Sequence, residues 1–246
     1  MAVIGLTFLG DIFTYSRGAL VALVAMGSML WWRSRQKFAM ALMIAVAALV
    51  VWNYAPAQWF KRMGTIETYQ TDPSAEGRLY IWHVTWEMAL KRPITGFGFH
   101  WNYDPASVNR QLADTGLRLA GAKAAHSTWL EVLGDHGFVG LAIFGAIVIG
   151  VAVDASWLVR HSRGNPDLEW ANILGRMLQA SLIGYCAGGS FATQAMYDGF
   201  YALVIIAAAA RRIVAAEIAT RDAAAIRRAA PVIPRPLGGL RPQPTG

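Results

Sequence analysis

The sequence predicts an all-α fold: a polytopic membrane helix bundle of about five transmembrane helices with one large, partly helical periplasmic loop. Three observations support this fold class. The chain is 55% apolar and only 15% charged, whereas an average soluble domain carries about 25% charged residues. Long uncharged runs alternate with short basic clusters. A single polar segment of about 80 residues interrupts that alternation.

The uncharged runs give the predicted helices in chain order. They cover residues 18–32, 38–60, 137–153, 177–197 and 199–210, and a crossing helix needs roughly 20 apolar residues, or somewhat fewer when its ends are anchored. The runs divide the chain into four parts. Residues 1–54 hold the first membrane helices and a short basic loop, 55–136 form the periplasmic loop, 137–213 hold the C-terminal membrane helices, and 214–246 form a basic, largely disordered cytoplasmic tail.

Basic residues in the short connections set the predicted orientation, because Lys and Arg near membrane helices stay on the cytoplasmic side. In a five-helix topology all three basic clusters fall on one side; they are Arg33, Arg35 and Lys37, then Arg160 and Arg163, then Arg211, Arg212, Arg221, Arg227 and Arg228. The long loop has eight basic and eight acidic residues. We therefore expect a multi-pass membrane protein with its large loop in the periplasm or on the exterior. The net charge of +7 predicts contact with anionic lipids and no nucleic-acid binding.

The segment Met1–Gly10 is apolar but covers only about half of a membrane span at ~1.5 Å per residue. It lacks the basic start of a signal peptide. We therefore expect the chain to begin inside a helix, as an N-terminally truncated copy of a longer protein with further membrane helices upstream.

Two helices are predicted within the loop. The first runs from about Glu76 to Lys91 and ends before Pro93, with an apolar stripe at helical spacing formed by Leu79, Trp82, Trp86 and Leu90. That stripe is expected to pack on the membrane helices or to lie along the lipid surface. The second starts near His126 and runs through Leu133, where Gly134, Asp135 and Gly137 mark its end before the next crossing.

Four side chains are candidates for binding or catalysis, each with a simpler explanation beside it. Arg17 precedes an apolar run at the external end of the first crossing, where it is either a phosphate-binding cation or an arginine that reaches the interface. Arg78, near the start of the loop helix, is a second phosphate contact or a solvated surface residue. His126 is a general base or an interfacial histidine. Asp198, at the external turn between the last two helices, is a substrate contact or a turn residue.

Three motifs in this order, "TYSRGALVAL", "EGRLYIW" with "RPITGFGF", and "HSTWLEVLGDHGFVG", resemble the O-antigen ligase and O-antigen polymerase superfamily. The likeness covers about residues 12 to 150 and extends to the O-glycosylation ligases that accompany exosortase systems. The family's usual dozen or so helices are reduced here to about five.

The resemblance implies an inverting, metal-independent glycosyltransferase without a cofactor, acting at the periplasmic membrane face. Its partners would be a glycan linked to undecaprenyl diphosphate and a lipid A-core, protein or glycan acceptor. By motif, Arg17, Arg78 and His126 match the family's catalytic positions, with the two arginines also binding substrate. Asp198 matches a substrate-binding acidic residue by position only. Trp82, Trp86, Trp101 and Tyr103 are expected to bury against the membrane rather than to stack on sugars.

Two other functions remain open at this stage. A non-catalytic transporter or assembly subunit of an envelope polysaccharide or exosortase system predicts facing charges in the middle of the bundle. A membrane cysteine protease of the exosortase type requires Cys186 beside an Arg and a His at the external face.

Overall fold

The computed structural model describes residues 17–34, 36–54, 57 and 73–229, and within these residues the regular structure is helical. The all-α prediction is confirmed for this part of the chain. The helices are α1 Arg17–Arg33, α2 Lys37–Tyr54, α3 Pro73–Lys91, α4 Pro105–Gln111, α5 Thr128–His161, α6 Glu169–Gly189 and α7 Asp198–Ala229, with short 3-10 helices at Trp101–Tyr103 and Pro166–Leu168. The predicted truncation concerns residues that lie outside this description.

Helix α6 lies at the centre of the bundle and contacts α1, α5 and α7. The main core is made of aliphatic and aromatic side chains from α5, α6 and α7, including Val151, Leu158, Ala171, Phe200, Ala207 and Val214, all at most 2% exposed. The rings of Tyr185 and Phe200 stack with centroids 4.4 Å apart. Burial of these side chains favours the packed bundle.

Four helix ends meet at one end of the bundle. The Cβ of Ala22 in α1 faces Gly188 near the end of α6, so the start of α1 lies beside the end of α6. Thr128, the first residue of α5, donates a hydrogen bond from its hydroxyl to the Ala192 carbonyl (2.9 Å) in the turn between α6 and α7. We call this the loop end, because the large loop joins the bundle here.

The loop unit, residues 73–127, has a small core of its own. It contains Ile81, Val84, Met88, Val108, Leu112 and Leu119, each at most 3% exposed. The segment after α4 is held in place by side chains: Asn109 bonds both the N–H (2.7 Å) and the carbonyl (3.0 Å) of Leu119. The Tyr80 hydroxyl bonds both backbone groups of Arg118 in the same way. These bonds give an irregular segment a defined position.

The loop unit is joined to α5 where that helix bends. Gly137 has φ 68° and ψ −168°, a conformation that only glycine adopts readily. Three backbone hydrogen bonds link the turn after α3 to this bend: Phe97 N–H to Gly134 O (2.9 Å), Gly98 N–H to Asp135 O (2.9 Å) and Phe138 N–H to the carbonyl of Pro93 (2.7 Å). The "RPITGFGF" and "GDHGF" motifs are therefore two halves of one junction.

Among the described helices, Thr128–His161 is long and apolar enough to cross a membrane. Gly18–Trp32 and Lys37–Asn53 are apolar but shorter. Each of the five uncharged runs of the sequence overlaps a helix, although the run 177–197 continues through the turn that follows Gly189.

The helix boundaries and the buried face of α3 differ from the sequence-based expectations. Helix α7 continues to Ala229, beyond residue 214 where the tail was expected to begin, and Arg221 in this part of the helix forms ion pairs with Glu217 and Asp167. Helix α4 was not predicted. In α3 the buried residues are Ile81, Val84, Thr85, Met88 and Ala89, whereas Leu79, Trp86 and Leu90 of the predicted stripe are exposed.

Candidate functional site

His126 is the centre of the candidate site and lies two residues before α5. Its backbone has φ 49°, in the left-handed region that non-glycine residues seldom occupy. The Trp82 indole N–H donates a 2.7 Å hydrogen bond to the carbonyl of Ala125, immediately before it. Ser127 and Thr128 are buried, while the His126 side chain is exposed. A strained residue fixed on both sides and open to solvent is typical of a functional position.

Arg78 of α3 lies close enough to His126 for its charge to act on the imidazole. Partial burial lowers the pKa of His126 below its usual value, and the positive charges of Arg78 and then Lys123 lower it further. The structure thus brings together two residues chosen from the sequence, 48 positions apart in the chain, and adds Lys123 as a second cation. The imidazole is consequently neutral at neutral pH and able to accept a proton.

Lys123 was missed by the sequence analysis. Its carbonyl accepts a 2.7 Å hydrogen bond from the buried Asn102 amide, and its ammonium group lies over Gly77. The signal in the sequence is faint: a lysine three residues before His126, and a glycine inside the first turns of the loop helix. A single lysine in a long polar segment gives no indication of which side chain it will face.

Arg17 begins α1 at the loop end, but its side chain lies outside the described residues. Its neighbour Gly18 lines a groove of about 460 Å³ together with Gln194, Tyr197 and Gly199. Asp198 is therefore placed at the same end, exposed, as the first residue of α7. The structure brings the starts of α1 and α7 together, and it records no contact between Asp198 and the His126 cluster.

The groove lies between α1, α6 and the start of α7 and is lined mostly by small and apolar residues, among them Ala22, Met26, Gly184, Gly188 and Leu203. Thr128, two residues after His126, contacts the groove, because its hydroxyl accepts a 3.1 Å hydrogen bond from the N–H of the groove residue Gln194. His126 and the groove are thus held at one end of the molecule by the same short stretch of α5.

The aromatic residues of the loop unit do not share one environment. Trp82 and Trp101 are half-buried. Trp86 is 47% exposed and Tyr103 is 60% exposed, and burial of these rings against the membrane stays a prediction. Trp86 meets the ring of Phe138 edge to face at 5.6 Å, so it covers the outside of the junction rather than filling the core.

Cys186 lies in the last turn of α6 and packs against the main core.

The comparison with protein families places these residues in context. A model of the O-antigen ligase family matches residues 2–145, which is more than half of the chain. The chain belongs to the O-antigen ligase family. The resemblance seen in the sequence motifs is thereby confirmed, and membership in the O-antigen ligase family indicates a glycan-transferring ligase role in envelope polysaccharide synthesis. No curated protein and no solved structure is significantly similar to the chain.

The O-antigen ligase match includes Arg17, Arg78, Lys123 and His126 and ends within α5. Asp198 lies beyond it.

The Trp82 hydrogen bond gives a first testable prediction. Trp82→Phe keeps an aromatic ring but removes the N–H that fixes Ala125, so we expect a stability loss of about 1 kcal/mol and a lower rate of glycan transfer. The rate should fall with little change in KM, because His126 would lose its fixed position while Arg78 and Lys123 keep theirs. Trp86→Phe, on the same helix, is the control. Equal effects of the two substitutions on the rate would contradict a positioning role for Trp82.

Proposed function

We propose that this chain transfers a glycan from undecaprenyl diphosphate to an acceptor hydroxyl at the periplasmic face of the bacterial inner membrane. The single observation that supports this most strongly is the meeting of Arg78, Lys123 and the neutral His126 imidazole on the loop unit. Two cations suit a diphosphate, and a neutral imidazole suits a proton acceptor.

The reaction exchanges one bond of the sugar C1 for another. The acceptor oxygen forms a bond to C1 as the bond from C1 to the diphosphate oxygen breaks, and the electron pair of that bond leaves with undecaprenyl diphosphate. Negative charge grows on the departing phosphate oxygens, and fixed cations beside them lower the barrier. Attack from the side opposite the leaving group inverts the configuration at C1. Arg78 and Lys123 supply the positive charge.

The proton of the acceptor hydroxyl needs a base at the moment the new bond forms. His126 takes this role in the proposal, because it is exposed at the loop end and neutral at neutral pH. The same two cations that stabilise the leaving group also keep the imidazole unprotonated before reaction. Proton acceptance and leaving-group stabilisation are thus served by one cluster. Arg17 is proposed as a further phosphate contact, and Asp198 as a substrate contact, from their positions at the loop end.

The surface of the helices supports a membrane location. The outward face of α5 after the bend exposes Val139, Ile143, Ile149 and Val153, each at least 46% exposed. Helix α2 exposes most of its apolar side chains. A row of this kind is costly in water and favourable in lipid. The loop end would then face the periplasm, and the basic connections would face the cytoplasm.

Arg78→Ala tests the proposed leaving-group site. A charge-assisted hydrogen bond contributes enough for its loss to slow transfer about tenfold to a hundredfold. The measurement is glycan transfer by the purified protein in detergent or vesicles, using an undecaprenyl-diphosphate-linked donor. Arg78→Lys should recover only part of the rate, because an ammonium lacks the planar fork of the guanidinium.

Arg110→Ala is the matched control, since Arg110 is an exposed arginine of the same loop unit on α4. It should leave transfer unchanged. Full activity of Arg78→Ala, with the unchanged protein active, would reject this site.

A non-catalytic transporter or assembly subunit is the alternative function, and one observation favours it. Asp154 of α5, with its side chain 19% exposed, forms an ion pair with Arg211 of α7. Facing charges between membrane helices are typical of transport pathways when they lie in the middle of the bundle, whereas Arg211 belongs to the basic cluster expected on the cytoplasmic side. Arg211 also lies over the ring of Trp157 at 5.4 Å, which is equally consistent with a packing role. Absence of transfer by the purified, folded protein, together with intact polysaccharide assembly in cells that produce it, would support the alternative.

A further inference from the structure

Lys123 differs from an ordinary surface lysine because a buried side chain fixes its backbone. The carbonyl of Lys123 accepts its hydrogen bond from Asn102, which is 9% exposed and lies in the 3-10 helix after α3. Two residues further on, Trp82 holds the carbonyl of Ala125. Hydrogen bonds thus fix the backbone between α4 and α5 on both sides of Ala124. The Lys123 side chain therefore extends from a backbone of defined position.

The ammonium group of Lys123 lies where a side chain at position 77 would otherwise be. A methyl group added to Gly77 would overlap the Lys123 Nζ atom and come within 3.2 Å of its Cε. Glycine weakens a helix interior relative to alanine, so its presence as the fifth residue of α3 requires a local reason. Room for the lysine ammonium is such a reason.

The position of Lys123 adds to the positive charge around His126. Arg78 directly follows Gly77, and the charges of Arg78 and Lys123 both act on the imidazole. Among the residues that the structure describes, neither cation has a carboxylate within ion-pairing distance. Two neighbouring cations without a counter-charge attract an anion that can bridge them.

We propose that Lys123 is a third cationic contact for the donor diphosphate, beside Arg78 and Arg17, and that Gly77 leaves the space which the lysine ammonium occupies in this position. This inference rests on the proposed function. It deepens that proposal by assigning the diphosphate to a site built from both α3 and the segment before α5. A bridging anion would hold those two parts of the loop unit together while the sugar is transferred.

Two substitutions with different chemistry test the inference. Lys123→Met removes the charge and keeps most of the length, and it should slow transfer by about tenfold to a hundredfold. Gly77→Ala leaves every charge in place and favours the helix, yet it displaces the ammonium group and should also slow transfer. The double variant should be no slower than Lys123→Met alone, because the two changes act on one contact.

The pH profile gives a readout that a structural role would not change. Lys123 contributes to the lowered pKa of His126, so Lys123→Met should move the acid limb of the transfer rate to higher pH. Lys123→Arg should keep that limb close to its original position and recover most of the rate. Lys91→Met is the control; Lys91 is a loop-unit lysine whose ammonium is paired with Asp114.

Binding of inorganic pyrophosphate separates this inference from the proposed function. The unchanged protein should bind it, and both Lys123→Met and Gly77→Ala should weaken that binding, whether or not transfer is observed. Normal transfer in Lys123→Met, with Arg78→Ala slow, would overturn the role of Lys123 alone. Additive losses in the double variant would overturn the role of Gly77. Lack of transfer by the unchanged protein would overturn the proposed function, and the pyrophosphate result would still decide on Lys123.

Discussion

Replacing His126 by alanine should reduce glycan transfer by roughly a hundredfold to ten-thousandfold, the usual contribution of a positioned acid or base. The loss should appear in kcat, because the imidazole acts on the acceptor proton and not on donor binding. His126 is exposed and precedes α5, so the substitution removes little packing. Protein level in membranes and the unfolding midpoint should stay close to those of the unchanged protein.

The pH dependence of transfer should reflect the lowered pKa of His126. Its pKa is lowered by burial and then by the charges of Arg78 and Lys123, so more of the imidazole is neutral at a given pH than for a histidine with the ordinary pKa of about 6.5. The midpoint of the decline in transfer should therefore lie below that pH. In Arg78→Ala the imidazole loses one repelling charge, so its pKa rises and the midpoint should move to higher pH. A midpoint above pH 6.5 in the unchanged protein would contradict this assignment.

His83→Ala is the matched control for the His126 substitution. His83 lies on α3 with its side chain 61% exposed, 3.7 Å from Glu87. It belongs to the same loop unit and faces away from the small core. We expect unchanged transfer from His83→Ala. Normal transfer by His126→Ala would remove the histidine from the mechanism, whatever the arginine variants do.

The second large effect concerns stability. Gly137→Ala should destabilise the protein by about 3 kcal/mol, because the backbone of Gly137 adopts φ 68° and ψ −168°. A methyl group there would also overlap the Pro93 carbonyl group, with its carbon only 2.9 Å away. The junction between the loop unit and α5 would open, so transfer should fall together with stability. Thermal unfolding in detergent, followed by circular dichroism, measures the change.

Gly145→Ala controls for the change of residue type within the same helix. No atom lies within 4 Å of the methyl group that this substitution would add, and alanine favours a helix interior by roughly 0.5–1 kcal/mol. The unfolding midpoint should therefore stay constant or rise. If Gly137→Ala were as stable as Gly145→Ala, the bend at Gly137 would not be required for the fold.

The helices were the part of the fold that the sequence predicted best. An uncharged run such as 137–153 has few alternatives to a helix. In an apolar environment the backbone N–H and C=O groups must hydrogen-bond to each other, and a helix satisfies them within one segment. Charged or glycine-rich positions then mark the ends, as at Gly137. Boundaries were less certain where ion pairs extend a helix. Arg221 pairs with Asp167, a residue 54 positions earlier, and no local pattern reports such a partner.

The loop unit was predicted only in part. Its long helix α3 was recognised, and its apolar stripe was expected to pack on the membrane helices or to lie along the lipid surface. The side chains that fill the core of the loop unit, such as Ile81 and Val84, were not identified. Which face is covered depends on α4 and the segment after it. Those elements carry no periodic signal of their own.

The candidate site was likewise predicted only in part. His126 and Arg78 were selected from motifs, and the structure places their charges together. The contribution of Lys123 depends on the path of the backbone between α4 and α5, which the Asn102 and Trp82 side chains set. Tertiary hydrogen bonds of this kind cannot be predicted from residue spacing. The roles of Arg17 and Asp198 remain predictions.

The three backbone hydrogen bonds that link Phe97, Gly98 and Phe138 to their partners around the bend have a mechanical consequence. They couple the loop unit to the first two turns of α5, since each bond fixes the distance between one donor and one acceptor across the bend. If α5 tilts when the thickness of the lipid changes, we expect the guanidinium of Arg78 and the imidazole of His126 to tilt with it. Thr128 is bonded to the turn between α6 and α7, so the same tilt would also reach the adjoining groove.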